Sequence, residues 1–152
     1  MKKFLLVLGL ISLAEAPANA FTTELRQIEL SIENLGTKVM WSKGHSRCHP
    51  GLLGVYAYGP DAILICQDNI GNNYKQLVST LKHEGWHVAQ RKCNHMKAIL
   101  SDQKISRHLT SSDVAILRKH YPSNQHRLEA EARVIEQVPT AAWLRGMKTY
   151  CL

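Results

Sequence analysis

The chain has 152 residues, 45% hydrophobic and 20% charged, with nine glycines and five prolines. That composition excludes a collagen-like, low-complexity or mainly disordered chain, and the length suits one domain rather than two. Nineteen Lys and Arg against twelve Asp and Glu give +7, a basic surface compatible with nucleic acid, anionic membrane, acidic polymers or simple solubility.

The N-terminus reads as an export signal over residues 1–20. Lys2 and Lys3 precede an apolar run from Phe4 to Ala14, and Ala18-Asn19-Ala20 forms a small-x-small cleavage site before Phe21. The run is too short to span a bilayer, and no second apolar stretch supplies a membrane anchor. No Cys follows the cleavage site, so a lipoprotein anchor is not expected. Removing Lys2, Lys3 and Glu15 takes the charge from +7 to +6. The mature unit is then 21–152, exported to a periplasm or out of the cell.

Leu25, Ile28, Ile32 and Leu35 form an apolar helix face after a cap at Thr22 or Thr23, ended by Gly36. Thr37–Trp41 is a short strand, and Ser42–Leu53 reads as loop. Gly54–Tyr58 and Ala62–Cys66 flank Gly59-Pro60-Asp61, the pattern of a β-hairpin. Gly71-Asn72-Asn73 precede a long helix from Tyr74 to about Arg91, with Leu77, Val78, Leu81, Gly85 and Val88 on one face. Ser111 or Ser112 with Asp113 starts another helix, stopped near Pro122. Asn124 caps a further helix through Leu128, Ala132, Ile135 and Val138, stopped by Pro139. The fold class is α+β and mostly helical, with a small antiparallel sheet or hairpin.

Cys48, Cys66, Cys93 and Cys151 are an even, widely spaced set without a CxxC pair. Behind an export signal this favours two disulfides over a zinc cluster. Three pairings are open; the preferred one is Cys48–Cys66, closing a loop around the hairpin, with Cys93–Cys151 pinning the C-terminus to the central helix. His45 and His49 then read as loop residues beside a disulfide.

The chemistry lies in His83-Glu84-Gly85-Trp86-His87, an HExxH motif inside the long helix. Positions i and i+4 share a helix face, so His83 and His87 can offer two imidazole nitrogens to one Zn²⁺ ion. Glu84 is then placed to take a proton from a water at the ion. A catalytic zinc needs a third protein ligand. Val88-Ala89-Gln90-Arg91-Lys92-Cys93 lacks the Gly and His of the extended HExxHxxGxxH motif. The later Leu128-Glu129-Ala130-Glu131-Ala132 offers two carboxylates about 200° apart on a helix, so only one can face the ion. Glu129 is the first choice and Glu131 the second, because Ala132 would let two helices pack closely beside the ion.

Thr80–Gln90 together with Leu128–Ala132 resembles the small bacterial and phage-type zincin metallopeptidases of the gluzincin kind. The resemblance implies a minimal zincin-like domain with an active-site helix and a Glu-bearing helix. It implies a peptidase with one zinc per chain, His83, His87 and a downstream Glu as ligands, and Glu84 as catalyst. Arg133 departs from the pattern, since larger gluzincins often carry there an Asp that orients a ligand histidine.

The expected partner is a peptide or protein substrate, with a bias toward acidic ones; no nucleic acid is expected. Tyr121, His120 and His126 are positional candidates for a second donor to the tetrahedral intermediate. Strand Ala62–Cys66 is a candidate edge for an extended peptide. The alternatives are a basic exported binding protein in which HExxH is non-catalytic, and a zincin relic that keeps its metal without useful turnover.

Overall fold

The computed structural model describes residues 18–151, with side chains from Thr23 onward. Residues 1–17, which hold most of the expected export signal, lie outside them. Helix α1 (Ala18–Glu33) leads into strand β1 (Lys38–Ser42). Strands β2 (Gly54–Ala57) and β3 (Ala62–Cys66) follow, then the short α2 (Gln67–Ile70) and the long α3 (Tyr74–Asn94). Helices α4 (Asp102–His108) and α5 (Ser111–His120), a 3-10 turn (Ser123–Gln125), α6 (His126–Glu136) and α7 (Thr140–Cys151) complete the order. The protein is α+β and mostly helical.

The hairpin forms as expected, but its sheet is mixed. β3 lies between the other two strands, antiparallel to β2 and parallel to β1. This corrects the expectation that β3 offers an edge: both its sides are paired, and all five of its residues are buried. A strand buried on both faces carries a continuous apolar run, which is what Ala-Ile-Leu-Ile-Cys supplies. The open edges belong to β1 and β2.

Caps account for the helix boundaries. Asn73 accepts from the Gln76 N–H at the start of α3, Ser101 caps α4, and Thr110 with Asp113 forms a capping box on α5. The α5 cap is therefore Thr110, one residue before the expected serines. Asn124 sits in the 3-10 turn rather than capping α6, and α1 begins at Ala18, where alanines favour continuing the helix. Helices α4 and α7 were not expected. Yet Trp143 and Met147 in α7 have the i, i+4 spacing of a buried face.

Helix α3 is the centre of the molecule. Ile28 and Ile32 of α1, Ile63 and Ile65 of β3, and Trp143 and Met147 of α7 share a core with Val78, Leu81, Trp86, Val88 and Ala89 of α3. Glu24 ties the periphery together, accepting hydrogen bonds from Tyr74 and Thr140. A smaller apolar cluster of Ile105, Leu117, Ala130 and Val134 joins α4, α5 and α6. Two disulfides close the structure, Cys48–Cys66 and Cys93–Cys151, the preferred pairing. Such bonds belong to an oxidising compartment. Among the described residues no helix is long and apolar enough to cross a membrane.

Candidate metal centre

Every residue of α3 from Thr80 to Gln90 is buried, although one face of this stretch is polar. Buried polar groups must find partners, and here α6 and β2 supply them. Ala132 is fully buried in the core, so α6 lies close along α3. Glu129, in the first turn of α6, meets the two histidines. His83 Nε2 and His87 Nε2 are 3.2 Å apart, and each lies 3.3 Å from one oxygen of Glu129. Neighbouring ligand atoms around a tetrahedral zinc with bonds of roughly 2.0–2.1 Å lie about 3.3 Å apart. The donor set and its spacing therefore fit such an ion with one vertex left open. Among the described residues this is the one group of three or more His, Cys, Asp or Glu that could hold a metal.

The outer nitrogens of both rings are also held. His83 Nδ1 lies 2.7 Å from Glu136, and His87 Nδ1 lies 2.8 Å from the Gln90 side-chain oxygen. Such partners fix the tautomer that leaves Nε2 free for a metal. Without an ion the same carboxylates act on a proton. Burial opposes charge on the His83 ring, but hydrogen bonds to Glu129 and Glu136 outweigh it and push its pKa up to about 10. Burial likewise works against charge on Glu129, yet His83 and His87 bring it down to about 2. A metal ion would have to displace that proton.

Glu131, the second-choice ligand, is fully buried and points elsewhere. It accepts from the Ile99 and Leu100 backbone N–H groups and from Gln90 Nε2, at 2.7 Å for the last. Gln90 thus connects Glu131 to His87, so this carboxylate supports the site from behind. Glu84 Oε2 accepts from the Tyr56 N–H of β2 at 2.8 Å. That contact needs β2 close to α3, and Gly54 permits it: a Cβ there would stand 2.7 Å from Thr80 Cγ2 and 3.3 Å from Glu84 Cγ.

A cleft of about 440 Å³ opens on this face, lined by Gly54, Thr80, His83, Glu84, Tyr121, Arg133 and Glu136 among others. A second of about 460 Å³ shares Lys75, Ser79 and Glu136 with it and so lies next to it. Of the three positional donor candidates only Tyr121 lines the cleft. His126 donates to the Tyr121 carbonyl, and His120 is exposed. His45 and His49 lie in the loop beside the Cys48–Cys66 bond. Tyr56 and Tyr58 pack edge to face with Arg91 over both rings.

Two residues of the site escaped the sequence reading, Gln90 and Glu136. Their signal was periodic: Gln90 follows His87 by three and His83 by seven, and Glu136 follows Glu129 by seven. Arg133 is indeed not the group that orients a histidine; Glu136, one turn further, does so instead. No curated protein and no solved structure matches the chain. One family model does, over residues 21–152. By that match the chain belongs to the family described as Domain of unknown function (DUF8637).

Proposed function

We propose that this protein is an exported zinc-dependent peptidase that holds one zinc through His83, His87 and Glu129. The observation that carries the reading is the convergence of these three donors, one of which, His83, lines an open cleft together with Glu84. Zinc in such a site lowers the pKa of a coordinated water to about 7 and polarises a substrate carbonyl. Glu84 would accept a proton from the attacking water and pass it to the leaving amine. The Tyr56 N–H holds one oxygen of Glu84, fixing the carboxylate while its other oxygen takes the proton. Burial pushes the Tyr121 hydroxyl above its ordinary pKa, so it keeps the proton it would donate to a developing oxyanion.

An extended chain entering the cleft would run beside β2, whose Gly54 lines it. Cleavage of a fluorogenic peptide library tests the reading. The zinc-loaded protein should cleave, and Glu84→Gln should lose about 100-fold or more while keeping its metal. Cleavage that survives either a chelator or Glu84→Gln would contradict it.

A further inference from the structure

Arg133 stands four residues after Glu129 and three before Glu136 on α6, so the three share one face of that helix. It lines the cleft with His83, Glu84 and Tyr121. Its side chain is 19% exposed, and its Nε is buried without a hydrogen-bond partner. The carboxylate that faces it, Asp113, is 3.9 Å from Nη1 and already serves the Thr110 capping box. The other nearby carboxylates are also engaged, Glu136 by His83 and Glu84 by the Tyr56 N–H. A buried N–H left unmet costs about 1–3 kcal/mol. The long contact to Asp113 reaches α5, but the apolar cluster of Ile105, Leu117, Ala130 and Val134 also joins these helices.

We propose that Arg133 is a carboxylate receptor, and that the substrates of this cleft present a carboxylate to it, as a free C-terminus or as an Asp or Glu side chain. The planar fork of a guanidinium matches two carboxylate oxygens; Nε is buried, so the fork must turn toward the cleft to present it, and being unpaired it gives up no hydrogen bond in doing so. Lys75 on the rim of the same cleft adds a second positive charge. The substrate role rests on the peptidase reading above.

The test uses the full chain carrying Glu84→Gln, so that probes stay intact, with and without zinc. The probes are N-acetyl-Ala-Ala-Ala as free acid and as amide, and N-acetyl-Ala-Glu-Ala-amide beside its Gln counterpart. Binding is followed on the arginine Nε–H signals, that of Arg133 being identified by its loss in Arg133→Lys. At least one carboxylate probe should bind about 10-fold tighter than its neutral twin and shift the Arg133 signal. Preference for the free acid would name the C-terminus as the anchor, and preference for Glu an acidic residue. Arg133→Gln should abolish the preference and Arg133→Lys keep part of it, both melting near the parent. Equal binding of the twins, or a preference that survives Arg133→Gln, would overturn the proposal. Zinc content of the same samples separates the two failures: zinc without a preference sinks the receptor alone, and a preference without zinc sinks the peptidase.

Discussion

Asp61 shows how one side chain can organise the far end of the central helix. It sits in the hairpin turn at φ +50° and accepts hydrogen bonds from Thr37, Tyr56 and Lys92, at 2.8, 2.7 and 2.6 Å. Partial burial works against its charge, but these donors hold the carboxyl at about 2. Its folded pKa lies below the unfolded value of about 3.9, so its contribution is complete above pH 4 and lost as pH falls toward 2. Denaturation midpoints should therefore fall between pH 4 and pH 2.5, and less steeply in Asp61→Asn; equal slopes would contradict this role. At this scale the sequence reads unevenly. HExxH is legible because two ligands one turn apart obey a fixed helical spacing. Gln90 and Glu136 are harder to single out, because helical spacing places them on the same face as a ligand but does not by itself say which such residue orients a histidine. Glu131 could be separated from Glu129 by helix angle, but its actual partners, the Ile99 and Leu100 N–H groups, depend on where the following loop returns.

Helix α3 reads as amphipathic in sequence, yet it is buried all round over the motif. Its second glycine-dependent contact explains the inner face. A Cβ on Gly85 would stand 2.8 Å from Ile32 Cδ1 and 2.9 Å from Trp143 Cζ2, side chains 0% and 1% exposed. Gly85→Ala gains about 1 kcal/mol of helix propensity but overpacks a core that cannot give way, at about 1–3 kcal/mol. The variant should therefore melt lower than the parent; a higher melting temperature would show that α1 and α7 yield. Helices α3, α5 and α6 and the hairpin were legible because apolar periodicity and turn residues agree there, although the caps of α5 and α6 differ from those expected. The parallel pairing of β1 with β3 was not, since it joins strands across the intervening β2 and depends on tertiary packing. That same pairing is why the open edges belong to β1 and β2 and not to β3.

At the scale of the whole molecule, one disulfide ties α3 to the C-terminal helix and the other ties the loop after β1 to the end of β3. Cys93–Cys151 links the end of α3 to the end of α7 across 58 residues, and Cys48–Cys66 spans 18. Loop-closure entropy makes the first worth about 4 kcal/mol and the second about 3. Guanidinium denaturation of Cys93→Ala/Cys151→Ala should show the larger loss, and the reverse order would mean that the unfolded chain is not the main term. The preferred pairing was legible because Cys48 and Cys66 bracket the hairpin, which leaves Cys93 of the central helix for the C-terminal Cys151.

The most direct test of the account is zinc bound per chain in the purified, oxidised protein, beside Glu129→Ala and Glu131→Gln. The account predicts one zinc in the wild type, loss in Glu129→Ala, and retention at saturating zinc in Glu131→Gln, whose carboxylate serves the backbone instead. A wild type without stoichiometric zinc, or loss in Glu131→Gln with retention in Glu129→Ala, would contradict it.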